Sequence, residues 1–500
     1  MTGLILIKDP KFTEAIAWLM CKEFHADWQS VFSAISAKLH PIVNCLRDDL
    51  AVFVETDYVD KVYRDSYYNY FSSKADCISR NCIRLSLLDN SRDLFSDKNT
   101  LGYDQLDVIQ ENYLGFIVVR PTIPVVIGRS AISPKALKVH DFKCCLTPID
   151  TTIDGFKVSV VAFPFSSQDC ETITCAETTL WALMEYYGNK YPEYVPVKPS
   201  DILHSLESSV ACRQLPSNGL TTENLTFALK TFGFGPQQYG YDLFKERAPN
   251  ILSCYVESGI PVVVALSNKK GINHAVLCIG HEDVSYGSID TAVNSQMETL
   301  NANYGTIDVL DYDDIQKKFV FIDDNCPPYQ KDYLSTPADR YIGRLDWNDC
   351  RISNFVAPLY KRIYMEPFIA KEYVRKILLT KYYAHLKGEK VIVRTYLCST
   401  RSFRHYVNIS AMTDGMKDVF SSIFMPKFVW ITEVSRVDNF KNGLVDYLIV
   451  VDATSYEMHN FSPLLVAFVD NACYCKDHTT KILNKINVTT VKFNSYSNLK

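Results

Sequence analysis

Residues 167–187 read S-Q-D-C-E-T-I-T-C-A-E-T-T-L-W-A-L-M-E-Y-Y, and this stretch decides the expected fold of the central region. Thr174 and Glu177 form a T-x-x-E capping box, so a helix is predicted to begin at Cys175 and to end at Gly188. Apolar residues recur along it at helical spacing, which predicts one buried stripe. The residues of this stripe are Ala176, Leu180, Leu183, Met184 and Tyr187.

Apolar strands follow this helix rather than alternate with it. They are predicted at residues 260–266, 274–280 and 318–322. A helix followed by a run of strands is typical of an α+β domain in which the helix packs on an antiparallel sheet. The interval 281–317 is interpreted as an excursion, so the last two strands are expected to be neighbours in one sheet.

The outer parts of the chain have mixed patterns. A chain of 500 residues predicts about three domains, and 47% apolar with 22% charged residues is typical of a globular protein. Residues 1–150 are interpreted as a mixed α/β region and 151–345 as the α+β region. Residues 346–500 are predicted to be either another α/β unit or an extension of the preceding sheet.

Several classes of protein are excluded by composition. No apolar run approaches the ~20 residues that cross a bilayer, and the apolar residues 4–7 are too few for a secretory signal. A cytoplasmic protein without membrane partners is therefore expected, with its 16 cysteines as reduced thiols. The pair Cys473 and Cys475, with His478 nearby, lacks a second pair at zinc-site spacing, so neither metal nor cofactor is predicted.

Cys175 is the candidate nucleophile. The first turn of a helix stabilises a thiolate, and its backbone N–H groups can stabilise an oxyanion. Gln168, in the preceding loop, could supply a side-chain amide as a second donor. Cys170 is a rival nucleophile, but it lies before the predicted helix and lacks the stabilisation of the helix N-terminus.

A nucleophilic thiol needs a base and a group that orients the base. His274 opens an apolar strand, and Asp323 follows the next strand, so a carboxylate is expected beside the imidazole. Asp324 competes with Asp323 for this third position. The combined order of thiol, imidazole and carboxylate is much more specific than any one of these residues alone.

The order Gln168, Cys175, His274, Asp323 resembles that of the papain-like cysteine peptidases. The bacteriocin-processing, double-glycine-type peptidases are the most similar branch. In that branch a glutamine precedes the cysteine that opens the helix, a histidine opens a glycine-flanked apolar strand, and an aspartate follows the next strand. The resemblance covers about residues 160–330, and Asn273 stands where the branch usually has glycine.

The resemblance implies a papain-like peptidase core within 151–345, flanked by α/β regions. It implies that Cys175 is the nucleophile, His274 the general base, Asp323 the orienting carboxylate and Gln168 part of the oxyanion hole. The implied activity is hydrolysis of a peptide or isopeptide bond in a peptide or protein substrate through a thioester. Transglutaminases, deamidases and other acyl transferases use the same triad, and a non-catalytic binding module on a decayed core is a further alternative.

Charge is unevenly distributed along the second half of the chain. Residues 281–324 carry a net charge of −8, and residues 361–405 carry a net charge of +8. The two stretches are interpreted as solvated faces that can face one another. Alternatives are an acidic lid that selects a basic substrate segment and a basic surface for a phosphate-bearing partner. No nucleic-acid-binding motif is present, so nucleic acid is not expected as a partner.

Overall fold

A computed structural model describes residues 3–95, 106–210, 213–344, 346–456 and 463–500. The chain divides into two compact units. Unit 1 comprises Met1–Gly233, Val263–Ile279 and Phe319–Val356, and unit 2 comprises Phe234–Val262, Gly280–Lys318 and Ala357–Lys500. The division into regions 1–150, 151–345 and 346–500 stays a prediction.

Fifteen α-helices occur in the described ranges. They are α1 (Phe12–Phe24), α2 (Trp28–Ala34), α3 (His40–Cys45), α4 (Lys61–Asn69), α5 (Leu106–Asn112), α6 (Cys175–Lys190), α7 (Pro199–Leu206), α8 (Thr222–Thr231), α9 (Tyr241–Phe244), α10 (Arg247–Glu257), α11 (Tyr286–Ser295), α12 (Pro367–Leu378), α13 (Thr400–Ile409), α14 (Asp414–Ser422) and α15 (Val437–Lys441). A π-helical turn, Ile35–Leu39, joins α2 to α3.

The strands of the described ranges are β1 (Gly3–Leu6), β2 (Leu50–Tyr58), β3 (Cys82–Asp89), β4 (Tyr113–Val119), β5 (Ser130–Ile132), β6 (Phe142–Cys144), β7 (Thr147–Ile153), β8 (Phe156–Phe165), β9 (Gly235–Gly240), β10 (Val262–Ser267), β11 (Asn273–Glu282), β12 (Glu298–Ala302), β13 (Gly305–Asp311), β14 (Phe319–Ile322), β15 (Gln330–Asp332), β16 (Arg351–Leu359), β17 (Lys390–Ser399), β18 (Phe428–Arg436), β19 (Leu444–Val445), β20 (Tyr447–Asp452), β21 (Leu464–Val469), β22 (Ala472–Lys476), β23 (Leu483–Asn487) and β24 (Phe493–Asn494).

Unit 1 is built on two sheets. The first has the order β1-β2-β3-β4-β5-β8-β7, and its neighbouring strands pair antiparallel. The second contains β15-β14-β11-β10-β16 in this order, with β6 paired to β11. The predicted mixed α+β fold with antiparallel sheets is therefore confirmed, and so is the prediction that the strands of His274 and Asp323 are neighbours.

Unit 2 has its own eight-stranded sheet, with the order β12-β13-β17-β18-β20-β21-β22-β23. The excursion predicted at 281–317 supplies α11 and the hairpin of β12 and β13, and β13 pairs parallel to β17. The alternative left open for residues 346–500 has a divided outcome. β16 extends the preceding sheet by pairing with β10, whereas β17, β18 and β20 to β23 form a separate sheet with β12 and β13 of the excursion.

The acidic and basic stretches neutralise one another within unit 2. Lys371 Nζ lies 2.8 Å from a carboxylate oxygen of Asp311 and 2.5 Å from one of Asp313. Arg375 pairs with Glu298 at 2.6 Å. These ion pairs join the two stretches, but Lys371 and Asp313 are 12% and 1% exposed, so the interpretation of both stretches as solvated faces is wrong at these residues. The pairs also leave less negative charge for a lid that selects basic substrates.

Helix α6 begins at Cys175, as predicted, but two details differ from the sequence prediction. All of its side chains from Ala176 to Tyr187 are buried rather than one stripe, since neighbouring elements cover the helix on several sides. The helix also continues through Gly188 to Lys190. A Cβ atom on Gly188 would lie 2.4 Å from Pro196, so this glycine permits close packing and does not end the helix.

Two further predictions concern membrane-spanning helices and the group formed by Cys473, Cys475 and His478. Within the described ranges, no helix is long and apolar enough to cross a membrane. The Sγ atoms of Cys473 and Cys475 lie 3.5 Å apart, and the ring of His478 stacks on Phe424 at 4.4 Å. Among the described residues, these three are not a group that could hold a metal ion.

Candidate active site

The loop before α6 is held by a buried carboxylate and a buried arginine. Asp169 Oδ1 accepts hydrogen bonds from the backbone N–H groups of Glu171, Thr172 and Ile173, at 2.6 to 2.9 Å. Arg120 Nη2 donates to the carbonyl oxygens of Ser167 and Gln168 at 2.8 and 2.9 Å. The backbone that leads to the helix is therefore fixed by polar contacts on both sides of Gln168.

The capping box predicted at the start of α6 is present. Glu177 is buried, and its carboxylate accepts a hydrogen bond from the Thr174 backbone N–H at 3.2 Å. The Ser217 hydroxyl donates to the other carboxylate oxygen of Glu177. Cys175 is half-buried at the first helical position of α6.

A buried hydrogen bond sets the position of α6 against β11. Thr179 Oγ1 donates to the carbonyl oxygen of Ala275 at 3.1 Å. Thr179 lies about one turn after Cys175, and Ala275 directly follows His274. The contact therefore places the thiol and the imidazole together at the same end of the helix and strand.

His274 joins the thiol to a carboxylate. Its Nε2 atom lies 2.9 Å from Asp323 Oδ1, and the Cys175 side chain is near enough to raise the pKa of the imidazole. Since Nε2 is engaged by Asp323, the other ring nitrogen, Nδ1, is left for the thiol. Burial opposes protonation of this ring, but Asp323, Cys175 and the nearby Asp324 outweigh it and raise the pKa of His274 well above its usual range.

Asp323 is fixed by hydrogen-bond donors on both carboxylate oxygens. Oδ1 accepts from the Asn325 backbone N–H at 3.0 Å as well as from His274. Oδ2 accepts from the Tyr341 hydroxyl at 2.7 Å and from Arg340 Nε at 2.9 Å. Burial alone would raise the pKa of Asp323, but the charges of His274 and Arg340 hold it well below its usual range.

An aromatic side chain shields the other side of the imidazole. The Trp347 ring lies edge-on to the His274 ring, with centroids 5.2 Å apart. His274 is 4% exposed and Asp323 2% exposed, so the pair is almost completely removed from water. A low local dielectric strengthens the interaction between the imidazolium and the carboxylate.

Asp324 occupies a different environment from Asp323. Its Oδ1 lies 3.5 Å from His274 Nε2, yet neither carboxylate oxygen accepts a hydrogen bond from another residue in the described part of the chain. Burial raises its pKa, His274 opposes this, and repulsion from Asp323 contributes to a value of about 6. The geometry therefore makes Asp323 the hydrogen-bonding partner of the imidazole and leaves Asp324 as an adjacent buried acid.

These three residues also form the one group in the described ranges whose ligand atoms could hold a metal ion. The atoms of His274, Asp323 and Asp324 lie within 4.8 Å of one another. A metal on Nε2 would have to replace its hydrogen bond to Asp323, whose other oxygen already binds the cation of Arg340. These contacts favour Asp323 as the carboxylate that orients the imidazole, rather than as a ligand in a metal centre.

The remaining candidates differ in how closely they join this group. Gln168 is half-buried with its backbone fixed beside the helix, but within the described part of the chain no side-chain hydrogen bond is recorded for it. Cys170 is exposed, with a left-handed backbone at φ 63°. Partial burial and the neighbouring Asp169 raise the pKa of the Cys170 thiol, which makes it a poor nucleophile near neutral pH.

Sequence reasoning missed the residues that support the triad. Arg340 and Tyr341 lie in a loop between β15 and β16 with no recognisable spacing relative to His274. Arg340 Nη1 also donates to Asp332 at 2.6 Å, so the loop is tied to β15 by a buried ion pair. The only sequence signal was an arginine and a tyrosine soon after the Asp323-Asp324 pair. This combination is too common to indicate that the two residues contact Asp323.

No family model matches the chain, and no curated protein is significantly similar to it.

The free energy of unfolding is expected to respond to pH through Asp324. An unfolded aspartate has a pKa of ~3.9, so between pH ~4 and ~6 the folded state binds more protons and rising pH lowers the stability. Asp324→Asn cannot ionise and should be more stable than wild type at pH 7.5, by on the order of 2 kcal/mol. At pH 4 the difference should nearly vanish. Thermal melts at both pH values measure it.

The exposed Asp346 provides the matched control, because Asp346→Asn makes the same change of charge near the site without burial. It should change the melting temperature little at either pH. A gain for Asp324→Asn of equal size at pH 4 and pH 7.5 would show that the ionisation of Asp324 is not its cause.

Proposed function

We propose that the chain is a cysteine peptidase whose central region has a papain-like core. The observation that carries the proposal is the buried His274–Asp323 pair at 2.9 Å, which lies near Cys175 because Thr179 of α6 donates to the carbonyl oxygen of Ala275. A thiol at a helix N-terminus, an imidazole and a carboxylate are the parts that an activated sulfur nucleophile requires.

In the proposed reaction the Cys175 thiolate attacks the carbonyl carbon of a peptide or isopeptide bond. The imidazolium of His274 donates its proton to the leaving amine as the tetrahedral intermediate collapses to a thioester. His274 then removes a proton from water, which attacks the thioester and releases the acid and the thiol. Asp323 keeps Nε2 protonated, so that Nδ1 exchanges the proton.

The oxyanion of each tetrahedral intermediate would form beside the first turn of α6. The backbone N–H groups at a helix start have no partner within the helix, so the Cys175 N–H is available as one donor. The Gln168 side chain is proposed as the second donor, since its backbone is anchored in the adjacent loop by Arg120. We infer a cytoplasmic location, in line with the reduced cysteines.

Profiling with a peptide library tests the proposed activity. Wild-type protein and Cys175→Ala are incubated with peptides from a digested proteome, and new termini are identified by mass spectrometry. We expect cleavage by the wild type at a defined set of sequences and a loss of at least ~10³-fold in Cys175→Ala.

Adding glycine amide to a parallel incubation separates hydrolysis from acyl transfer, because a thioester can be resolved by either water or an amine. Free carboxyl termini support the peptidase. Products joined to glycine amide would instead assign an acyl transferase on the same triad. If wild type and Cys175→Ala give the same products, the proposal is wrong.

A further inference from the structure

A cavity of about 580 Å³ that is open to solvent lies in unit 2, away from the residues of the proposed triad in sequence. One wall is the exposed face of α13, with Arg401, Ser402 and His405. The facing wall is the C-terminal segment Ser495, Tyr496 and Ser497. The volume lies in the range of small-molecule sites, which is roughly 300–1,000 Å³.

The polar groups that line this cavity are cationic or neutral. Arg401 and His405 are four residues apart on α13, so they project from the same face of the helix. No residue that lines the cavity is acidic, and within the described ranges no ion pair is recorded for Arg401 or His405. The hydroxyls of Ser402 and Ser495 also line the cavity, whereas the Ser497 hydroxyl donates to the carbonyl oxygen of Leu499, so the cavity presents hydrogen-bond donors without a competing carboxylate.

Four of the ten other basic residues of the 361–405 stretch have side chains that bind acidic residues or backbone carbonyl oxygens within unit 2. Lys371 and Arg375 are neutralised by the acidic excursion, and Arg394 binds Glu257 and Glu433. Arg404, on α13, donates to the carbonyl oxygens of residues 420 and 423 at 3.0 and 2.8 Å. Arg401, unlike these four residues, lines the cavity.

The position of Arg401 within α13 adds to the positive potential. Ser399 caps the helix by accepting from the Ser402 backbone N–H at 3.1 Å, so Arg401 and Ser402 lie in the first turn. The helix N-terminus carries a partial positive charge that favours anions. Tyr406, Ile409 and Tyr496 add an aromatic and apolar part to the lining.

We propose that this cavity binds a small organic phosphate monoester. The planar guanidinium of Arg401 matches two phosphate oxygens, and His405 and the hydroxyls of Ser402 and Ser495 supply further donors. The aromatic and apolar side chains would contact the organic part of the ligand. This site is independent of the proposed peptidase, and it gives a structural basis for the phosphate-bearing partner considered from the sequence.

Calorimetric titration of the full chain tests the site. The probes are AMP, glucose 6-phosphate and O-phosphoserine as monoesters, inorganic phosphate, and adenosine as the phosphate-free control. We expect at least one monoester to bind more tightly than inorganic phosphate, and adenosine not to bind. Arg401→Gln should weaken the binding of that monoester at least ~10-fold, and Arg401→Lys should weaken it less.

Arg362→Gln is the matched control, since it removes an exposed arginine of unit 2 that does not line the cavity. It should leave binding unchanged, and thermal melts should show that all variants fold. Binding of none of the monoesters would overturn the proposal. So would equal binding of inorganic phosphate, equal binding of adenosine and AMP, or unchanged binding by a folded Arg401→Gln protein.

Discussion

Cys175→Ser is expected to fold like the wild type and to lose at least ~10³-fold in turnover. Serine is nearly isosteric with cysteine, and position 175 is half-buried in the first turn of a capped helix, so packing should change little. The free energy of unfolding should move by less than ~1 kcal/mol. A hydroxyl is far less acidic than a thiol, and an imidazole placed for a thiolate pair activates it poorly.

Cys170→Ser is the matched control, because the two cysteines lie five residues apart and only Cys175 interacts with His274. This variant should keep its turnover. Limiting iodoacetamide followed by peptide mapping should label Cys175 first in the wild type and in Cys170→Ser. A destabilised Cys175→Ser protein that keeps its specific activity would show that Cys175 is a core residue and not a nucleophile.

Asp323→Asn is expected to lower turnover by roughly 10³- to 10⁴-fold. The reason is that both oxygens of the Asp323 carboxylate accept hydrogen bonds, whereas the NH₂ group of asparagine can only donate. Oδ2 accepts from Arg340 and Tyr341, so the amide oxygen of an asparagine would stay on that side. Its NH₂ group would then replace Oδ1, which accepts from His274 Nε2 and from the Asn325 backbone N–H. Two donors would therefore face each other at the imidazole.

In this variant the conflict is removed when the neutral imidazole carries its proton on Nδ1 instead of Nε2, so that Nε2 can accept a hydrogen bond from the asparagine NH₂ group. A neutral ring protonated at Nδ1 cannot accept a proton from Cys175, so the thiolate should no longer form at neutral pH. Asp324→Asn should change turnover by less than ~10-fold, because Asp324 accepts no hydrogen bond from another residue that the structure describes.

The rate of inactivation by iodoacetamide as a function of pH measures thiolate formation without a substrate. For Asp323→Asn the rate at pH 7 should fall with turnover, whereas Asp324→Asn should retain it. The reverse result, with a large loss in Asp324→Asn alone, would make Asp324 the orienting carboxylate.

Local sequence patterns predicted the local parts of the candidate site. The T-x-x-E box predicted the start of α6 at Cys175, and the apolar runs predicted the strands that carry His274 and Asp323. Helix capping and strand formation depend mainly on residues close in the chain, so one sequence is enough to read them. The end of α6 was misread at Gly188, because its close contact with Pro196 is tertiary.

Packing between distant segments determines which carboxylate binds the imidazole and which residues hold that carboxylate in place. Asp323 and Asp324 are adjacent in sequence, yet one meets four hydrogen-bond donors and the other meets none from another residue in the described ranges. Those donors come from loops and strands whose positions depend on packing between segments distant in the chain. Residue types and their order can be read from the chain, whereas the distances, burial and neighbouring charges that distinguish two identical aspartates arise from three-dimensional packing.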